Sequence, residues 1–241
     1  AVKVLVTGGT GFVGPKVVRG VVEAGHQVRA LARNRQKAAH VAALGAELVE
    51  GDVTDPSSLR SAVQGMDAVV HLVGIRQGKP EEFQRIMIDG TRSLLAAASE
   101  AGVQRLVLMS ALGATEETKD LVPYYGAKWQ MEEDVRASSI PHVIHRPCFV
   151  FARDGGILAT FRKIAKLAPV TPITGSGRER IQPIWGDDVA AYFARSLELD
   201  AVLGQREIRG KASTDVSRVH EPRDFVAVEE RVADGERDAA E

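Results

Sequence analysis

The chain has 241 residues, 44% hydrophobic and 26% charged, with a formal net charge of −1; this suits one soluble α/β domain and excludes nucleic acid or an anionic membrane as a main partner. Its single cysteine, Cys148, excludes an internal disulfide and a thiolate metal site, so no metal is expected and a reducing, cytoplasmic setting is. No apolar run is long enough for a membrane span, and the chain enters a strand at once, which predicts no signal peptide.

Residues 2–7 read as a short buried strand that runs into Gly8-Gly9-Thr10-Gly11-Phe12-Val13-Gly14 and then an amphipathic helix over 12–24. Further strands are expected at 27–32, 46–50, 68–73, 104–110, 141–147 and 206–209, short and rich in Val, Leu and Ile, as strands buried on both faces should be. Helices are expected at 35–43, 57–64, 81–101, 124–137, 156–167 and 187–198, with Gly25, Gly45, Gly65 and Gly102 as stop signals. Asp55-Pro56 supplies a cap and a first-turn proline for the third helix. The alternation predicts an α/β, Rossmann-type doubly wound parallel sheet. It divides as a dinucleotide-binding domain over 1–150, a small substrate cap over 151–210 and a tail over 211–241. The tail carries nine acidic and five basic side chains and one aromatic, Phe225. Little there offsets the entropy of ordering, so a loosely attached tail is expected, with 225–228 as the one candidate element.

The glycine turn after the first strand lets main chain approach a pyrophosphate and aims the free N–H groups of the new helix at it. Gly8, Thr10, Gly11, Phe12, Val13 and Gly14 are therefore the first candidate cofactor residues. The alternative is a tight turn that only packs helix on strand. After the second strand stands Arg33, nineteen positions beyond Gly14, where an enzyme preferring NAD(H) usually carries an acid. A guanidinium there pairs with a 2′-phosphate, so NADP(H) is expected over NAD(H); the alternative is a solvated basic loop.

Tyr124 and Lys128 lie four apart in a helical segment and so share a face. A phenol alone holds its proton too tightly for neutral pH, and a neighbouring ammonium would stabilise the phenolate. Lys128 could also hold a nicotinamide ribose. Ser110 ends the fifth strand, at the carboxyl edge where ligands bind in open α/β folds, and could orient a carbonyl or hydroxyl beside Tyr124. The alternatives are a packed tyrosine and a solvated lysine.

The string TGGTGFVG, with Ser110, Tyr124 and Lys128 in that order, resembles the short-chain dehydrogenase/reductase superfamily. It is most similar to the extended and atypical branches, which include epimerase/dehydratase-like, NmrA-like and complex I 39-kDa-subunit-like proteins. The resemblance covers about residues 2–210. It implies that Asp52 accepts from the adenine amino group and Val53 packs on the ring, although Asp52 also fits a simple turn. It implies that the main chain of Leu72, Val73 and Gly74 backs the ribose and phosphates, with His71 a packed strand residue. It places Pro147 and Val150, in His145-Arg146-Pro147-Cys148-Phe149-Val150, beside the nicotinamide, with Cys148 a buried structural thiol. Met87 stands where relatives often carry a polar asparagine. Asp187 corresponds to a helix N-cap, while Arg178, Arg180 and Gln182 face either the pocket or solvent. Superfamily members often pair through the segments matching 81–101 and 124–137, so a homodimer is the implied assembly.

Three functions compete. The first is an NADP(H)-dependent oxidoreductase acting on a small-molecule carbonyl or alcohol. The second is a dinucleotide-binding sensor or assembly subunit that turns nothing over. The third, an epimerase or dehydratase with tightly held NAD, is disfavoured by Arg33.

Overall fold

The computed structural model describes residues 1–153, 155–156, 164, 166, 182–198 and the backbone of 226–231. The expected strand at 206–209, nearly all of the expected helix at 156–167, Arg178, Arg180 and the rest of the tail lie outside the described residues.

Six parallel strands form the core of the sheet: β1 (Lys3–Thr7), β2 (Gln27–Ala32), β3 (Glu47–Glu50), β4 (Ala68–His71), β5 (Arg105–Met109) and β6 (His142–Pro147). The small sheet strands β7 (Phe149–Ala152), β8 (Gly155–Gly156) and β9 (Pro183–Trp185) were not expected from the sequence, and β10 (Val226–Arg231) pairs antiparallel on β6. The large sheet runs β10-β6-β5-β4-β1-β2-β3. Strand order therefore reverses between β1 and β4, and the crevice beyond the carboxyl ends there is where ligands bind in open α/β sheets. The tail thus contributes a strand, and its pairing covers the β6 edge.

Helices close both faces, because strand side chains alternate. Val4, Val6, Val28, Ala30, Val70 and Val107 join one apolar cluster with α1 (Gly14–Glu23), α2 (Ala39–Ala42) and α7 (Gly186–Glu198). Leu5, Leu31, Val69, Leu106 and Ile144 join the other with α3 (Pro56–Val63), α5 (Gly90–Glu100) and α6 (Pro123–Ala137). At α3 the cap is as expected: the Asp55 carboxylate accepts from Ser57 N at 2.9 Å, with proline in the first turn.

Two helices differ from expectation. The segment 35–43 is helical only over α2. Asn34 Oδ1 accepts from Lys37 N at 2.9 Å and turns the chain first, and in α2 itself only Val41 is buried. The segment 81–101 is not one α-helix. A short α4 (Pro80–Glu82) passes into a π-helical stretch, Phe83–Asp89, before α5 resumes. No proline or glycine marks the stretch before Gly90; it packs against α6, and such bulges recur at functional sites.

Candidate functional site

The glycine turn sits at the sheet's reversal point. Gly8 has φ +76°, and a Cβ there would lie 2.9 Å from the carbonyl carbon of Leu72. A Cβ on Gly14 would lie 2.3 Å from Gly9 O. The fold itself therefore demands glycine at both positions. Gly11 is different: its Cβ would meet only Gly8 O, at 3.4 Å, an ordinary contact. Nothing among the described residues requires glycine there, and the space left above it suits a pyrophosphate. The N-cap residue of α1, Val13, offers no side-chain cap to the first amides. Phe12 lays its ring over Gly155 and Gly156, where an added Cβ would come within 2.8 and 2.9 Å of it.

Beneath the turn runs a buried polar chain. Thr7 Oγ1 lies 2.6 Å from His71 Nδ1, and His71 Nε2 lies 3.0 Å from Thr91 Oγ1. Thr91 donates to Met87 O, so its oxygen accepts from His71 Nε2–H, and Thr7 donates to Nδ1. Burial, reinforced by the nearby Lys128 ammonium, pushes His71 down to about 3. His71 is thus a neutral packed residue, as expected.

The other expected cofactor residues ring the same edge. Leu72 N donates to Thr7 O at 3.0 Å, and Val73 and Gly74 follow directly. Arg33 and Arg35 are exposed just past β2. Asp52 Oδ1 accepts from Thr54 N at 2.9 Å and Thr54 Oγ1 at 3.0 Å, the turn role weighed in the sequence; an adenine contact would fall to Oδ2. Val53 is 6% exposed within the α3/α5/α6 cluster, so little of its side chain is left for a ring. Pro147 O accepts from Leu112 N at 3.1 Å, and Val150 pairs with Ile184. Cys148 is half-buried rather than buried. Asp187 lies within the first turn of α7 rather than capping it, taking hydrogen bonds from Arg19 at 2.7 Å and Trp185 Nε1 at 3.1 Å.

Ser110 and Lys128 meet at the carboxyl end of β5, and Tyr124 lies one helical turn before Lys128 on α6. Ser110 is 1% exposed, and its hydroxyl has no hydrogen-bond partner among the described residues. An orphaned buried hydroxyl is uncommon and marks a place where a ligand could complete the bonding. Lys128 is 1% exposed, not a solvated charge. Its Nζ donates to Met109 O at 2.6 Å and Val73 O at 3.0 Å, bridging the ends of β5 and β4. Burial pushes it down to about 7, against the opposing pull of Glu132. Tyr124 behaves otherwise than expected. Burial, and then Tyr125, hold its phenol above the usual range, and the cation that opposes them is Arg76. The ammonium has turned to carbonyls, so the phenol is kept protonated. Met87 is wholly buried in the apolar cluster, and so supplies no polar partner there.

Sequence reasoning missed Arg76, and also Glu132 and Arg146. Glu132 is 0% exposed and follows Lys128 by one helical turn; only that i, i+4 spacing could have signalled it. A cavity of about 330 Å³ lies elsewhere, between α1 and α7, and its Arg19–Asp187 and Arg195–Glu198 pairs already close on each other at 2.7 and 2.8 Å.

A dinucleotide-binding fold with this turn and this edge is that of an NAD(P)-binding protein of the atypical short-chain dehydrogenase/reductase branch. A family model described as NAD(P)H-binding matches residues 8–170, and the chain belongs to that family. It is 37% identical over 233 residues to the 2-alkyl-3-oxoalkanoate reductase of Stenotrophomonas maltophilia, covering 87% of this chain and 69% of that protein. It is 29% identical over 199 residues to the photosystem II assembly factor Ycf39 of Guillardia theta, covering 83% and 62%. The ceramide reductase of Caulobacter vibrioides is 33% identical over 190 residues, covering 78% and 58%. The chain thus spans about three fifths of the length of the last two relatives. The same fold recurs in the triphenylmethane reductase of Citrobacter sp., with a TM-score of 0.66 at 23% identity, covering 82% of this chain and 66% of that one. It recurs again in a UDP-glucose 4-epimerase of Stenotrophomonas maltophila, with a TM-score of 0.69 at 19% identity, covering 82% and 74%. No helix among the described residues is long and apolar enough to cross a membrane.

Proposed function

We propose that this chain acts as an NADP(H)-dependent oxidoreductase that reduces a small carbonyl substrate at Ser110, Tyr124 and Lys128. The observation that carries the reading is Ser110: a buried hydroxyl with no partner among the described residues, one residue beyond the carbonyl that anchors Lys128. The residues present fit the cofactor, since the space over Gly11 and the uncapped start of α1 suit a pyrophosphate and exposed Arg33 suits a 2′-phosphate. When bound, the reduced nicotinamide supplies the hydride that goes to the carbonyl carbon. Ser110 Oγ donates to the carbonyl oxygen and fixes its orientation. Tyr124, held protonated by burial, gives that oxygen its proton. Lys128 keeps the ends of β4 and β5 at a fixed spacing beneath both groups.

A dinucleotide-dependent sensor or assembly role is the second reading. Met87 favours it, apolar and buried where a polar group would complete a proton path, and several of the relatives are named as assembly factors. Titration with NADPH and NADH, followed by NADPH consumption against a panel of ketones, aldehydes and 3-oxo esters, separates the two. Tight NADPH binding with turnover supports the reductase; tight binding with no turnover of any carbonyl shifts the reading to the sensor.

A further inference from the structure

Lys128, Glu132 and Arg136 follow one another at four-residue steps along α6 and form a single polar stripe on a helix otherwise packed through Ala127, Met131 and Val135. The middle member is a carboxylate with a fully buried side chain. Glu132 Oε1 accepts from Arg146 Nε at 2.9 Å, and Oε2 accepts from Arg136 at 2.8 Å. Arg146 also donates to Oε2 through its terminal nitrogen, so its grip is two-pointed. An apolar pair would hold a helix on a strand as firmly as a buried ion pair. What the ion pair adds is a fixed direction.

That direction bears on the candidate site. Arg146 lies on β6 between His145, whose carbonyl accepts from Ser110 N at 2.7 Å, and Pro147, whose carbonyl accepts from Leu112 N at 3.1 Å. The strand that Arg146 anchors is therefore the strand that holds the backbone on both sides of Ala111. At the other end of the stripe, Lys128 grips Met109 O, the residue before Ser110. Two successive turns of α6 are thus moored to the strand that leads into Ser110 and to the strand beside it.

We propose that Glu132 is a positioning residue of the candidate site: clasped by Arg146 and Arg136, it fixes the seat of α6 on β6 and so sets Tyr124 and Lys128 against Ser110. This rests on the reading of those three residues as the reacting group. Lys128 is faced by Glu132 on its own helix, by His71 on β4 and by the carbonyls of Val73 and Met109, with Arg136 and Arg146 behind Glu132. Glu132 is the negative charge that holds the ammonium up against burial. Without it the lysine loses its proton more readily, and two guanidinium groups are left without their shared partner.

The test is a pH titration of the 13Cε signals of lysine-labelled protein, with Lys128 assigned by its loss in Lys128→Met, run alongside NADPH binding and NADPH consumption with a 3-oxo ester. Glu132→Gln is expected to move the Lys128 midpoint down by about one pH unit. Turnover should fall about tenfold while the NADPH dissociation constant changes less than about twofold. A folded Glu132→Gln with an unmoved Lys128 midpoint overturns the proposal. Should that variant not fold, Arg146→Lys is read instead, since it keeps the charge and removes the two-pointed grip. A loss of turnover of about fivefold with NADPH binding kept is then expected, and unchanged turnover overturns the proposal. If the unaltered protein binds NADPH yet consumes none, the reductase reading fails by itself, and the Lys128 midpoint in Glu132→Gln, or in Arg146→Lys where that variant is read, still decides the role of Glu132.

Discussion

The glycine turn after β1 and the polar stripe of α6 converge on one edge of the sheet, yet they are made of different material. The turn is main chain: Gly8 and Gly14 are glycines because β4 and the turn itself leave no room for a Cβ. The stripe is side chain: Lys128 and Glu132 are long ionisable groups taken out of water and held by named partners. A surface made of backbone amides binds whatever anion fits it, and its chemistry varies little from one substrate to the next. A buried set of charges is costly and position-specific, which is how reactivity is tuned. On the proposed reading, binding falls to the first half of the sheet and reaction to the second.

The sharpest way to break that division is at the phenol. Tyr124→Phe removes one oxygen and little packing. Turnover is expected to fall about a thousandfold, while the NADPH dissociation constant stays within about twofold in a fluorescence titration. Surviving turnover would mean the proton comes from elsewhere and the second half does not hold the reaction.

The next largest effects lie in the turn and come as a pair. Gly14→Ala sets a methyl 2.3 Å from Gly9 O, and the clash cannot be relieved by a rotamer change. A loss of about 3 kcal/mol is expected in chemical denaturation. Gly11→Ala meets only an ordinary contact and should leave the melting temperature within about 2 °C, yet weaken NADPH about tenfold by filling the cradle. Equal effects of the two variants on stability would show that Gly11 serves the fold and not a ligand.

The same contrast governs what could be read before the structure. The turn lies within fourteen consecutive residues, with its strand before it and its helix after it, so TGGTGFVG was legible as a unit. Ser110, Tyr124 and Lys128 were legible by order and spacing, but their surroundings were not. The carbonyls that hold Lys128 come from Val73 and Met109, 55 and 19 residues away. The arginine that holds Glu132 is 14 residues away. A phenol's environment is set by such distant partners too, which is why the spacing of Tyr124 and Lys128 showed neither the burial that holds Tyr124 above the usual range nor the opposing Arg76. The π-helical stretch was hidden for a related reason: Phe83–Asp89 has helical periodicity, and the α6 against which it packs lies some forty residues further along the chain.

Buried ionisable groups in the second half also predict how the fold responds to acid. His71 and His145 are fully buried and pushed down to about 3, in both cases chiefly by burial. The unfolded chain takes up these protons near pH 6.5 and the native one does not until about pH 3, so unfolding binds protons and stability falls as pH drops through that window. Two such groups give a slope of about 2.7 kcal/mol per pH unit in urea unfolding followed between pH 6 and 4. In His71→Gln that slope should halve. A slope that does not change would place the proton uptake on other groups.

The smallest expected effect tests the binding half at its rim. Arg33 stands exposed just past β2, where its guanidinium is free to reach a ribose 2′-phosphate but adds nothing to a ribose that lacks one. Arg33→Ala should weaken NADPH about tenfold and NADH by less than about twofold, because only the phosphate loses a charge-assisted partner. The expected loss shrinks as salt rises, since the pair is exposed and screened. Equal weakening of both cofactors would mean that Arg33 supports the loop and reads no phosphate. The remaining candidate contacts, the carboxylate of Asp52 and the main chain of 72–74, would meet parts common to both dinucleotides, and the chain would take NAD(H) as readily as NADP(H).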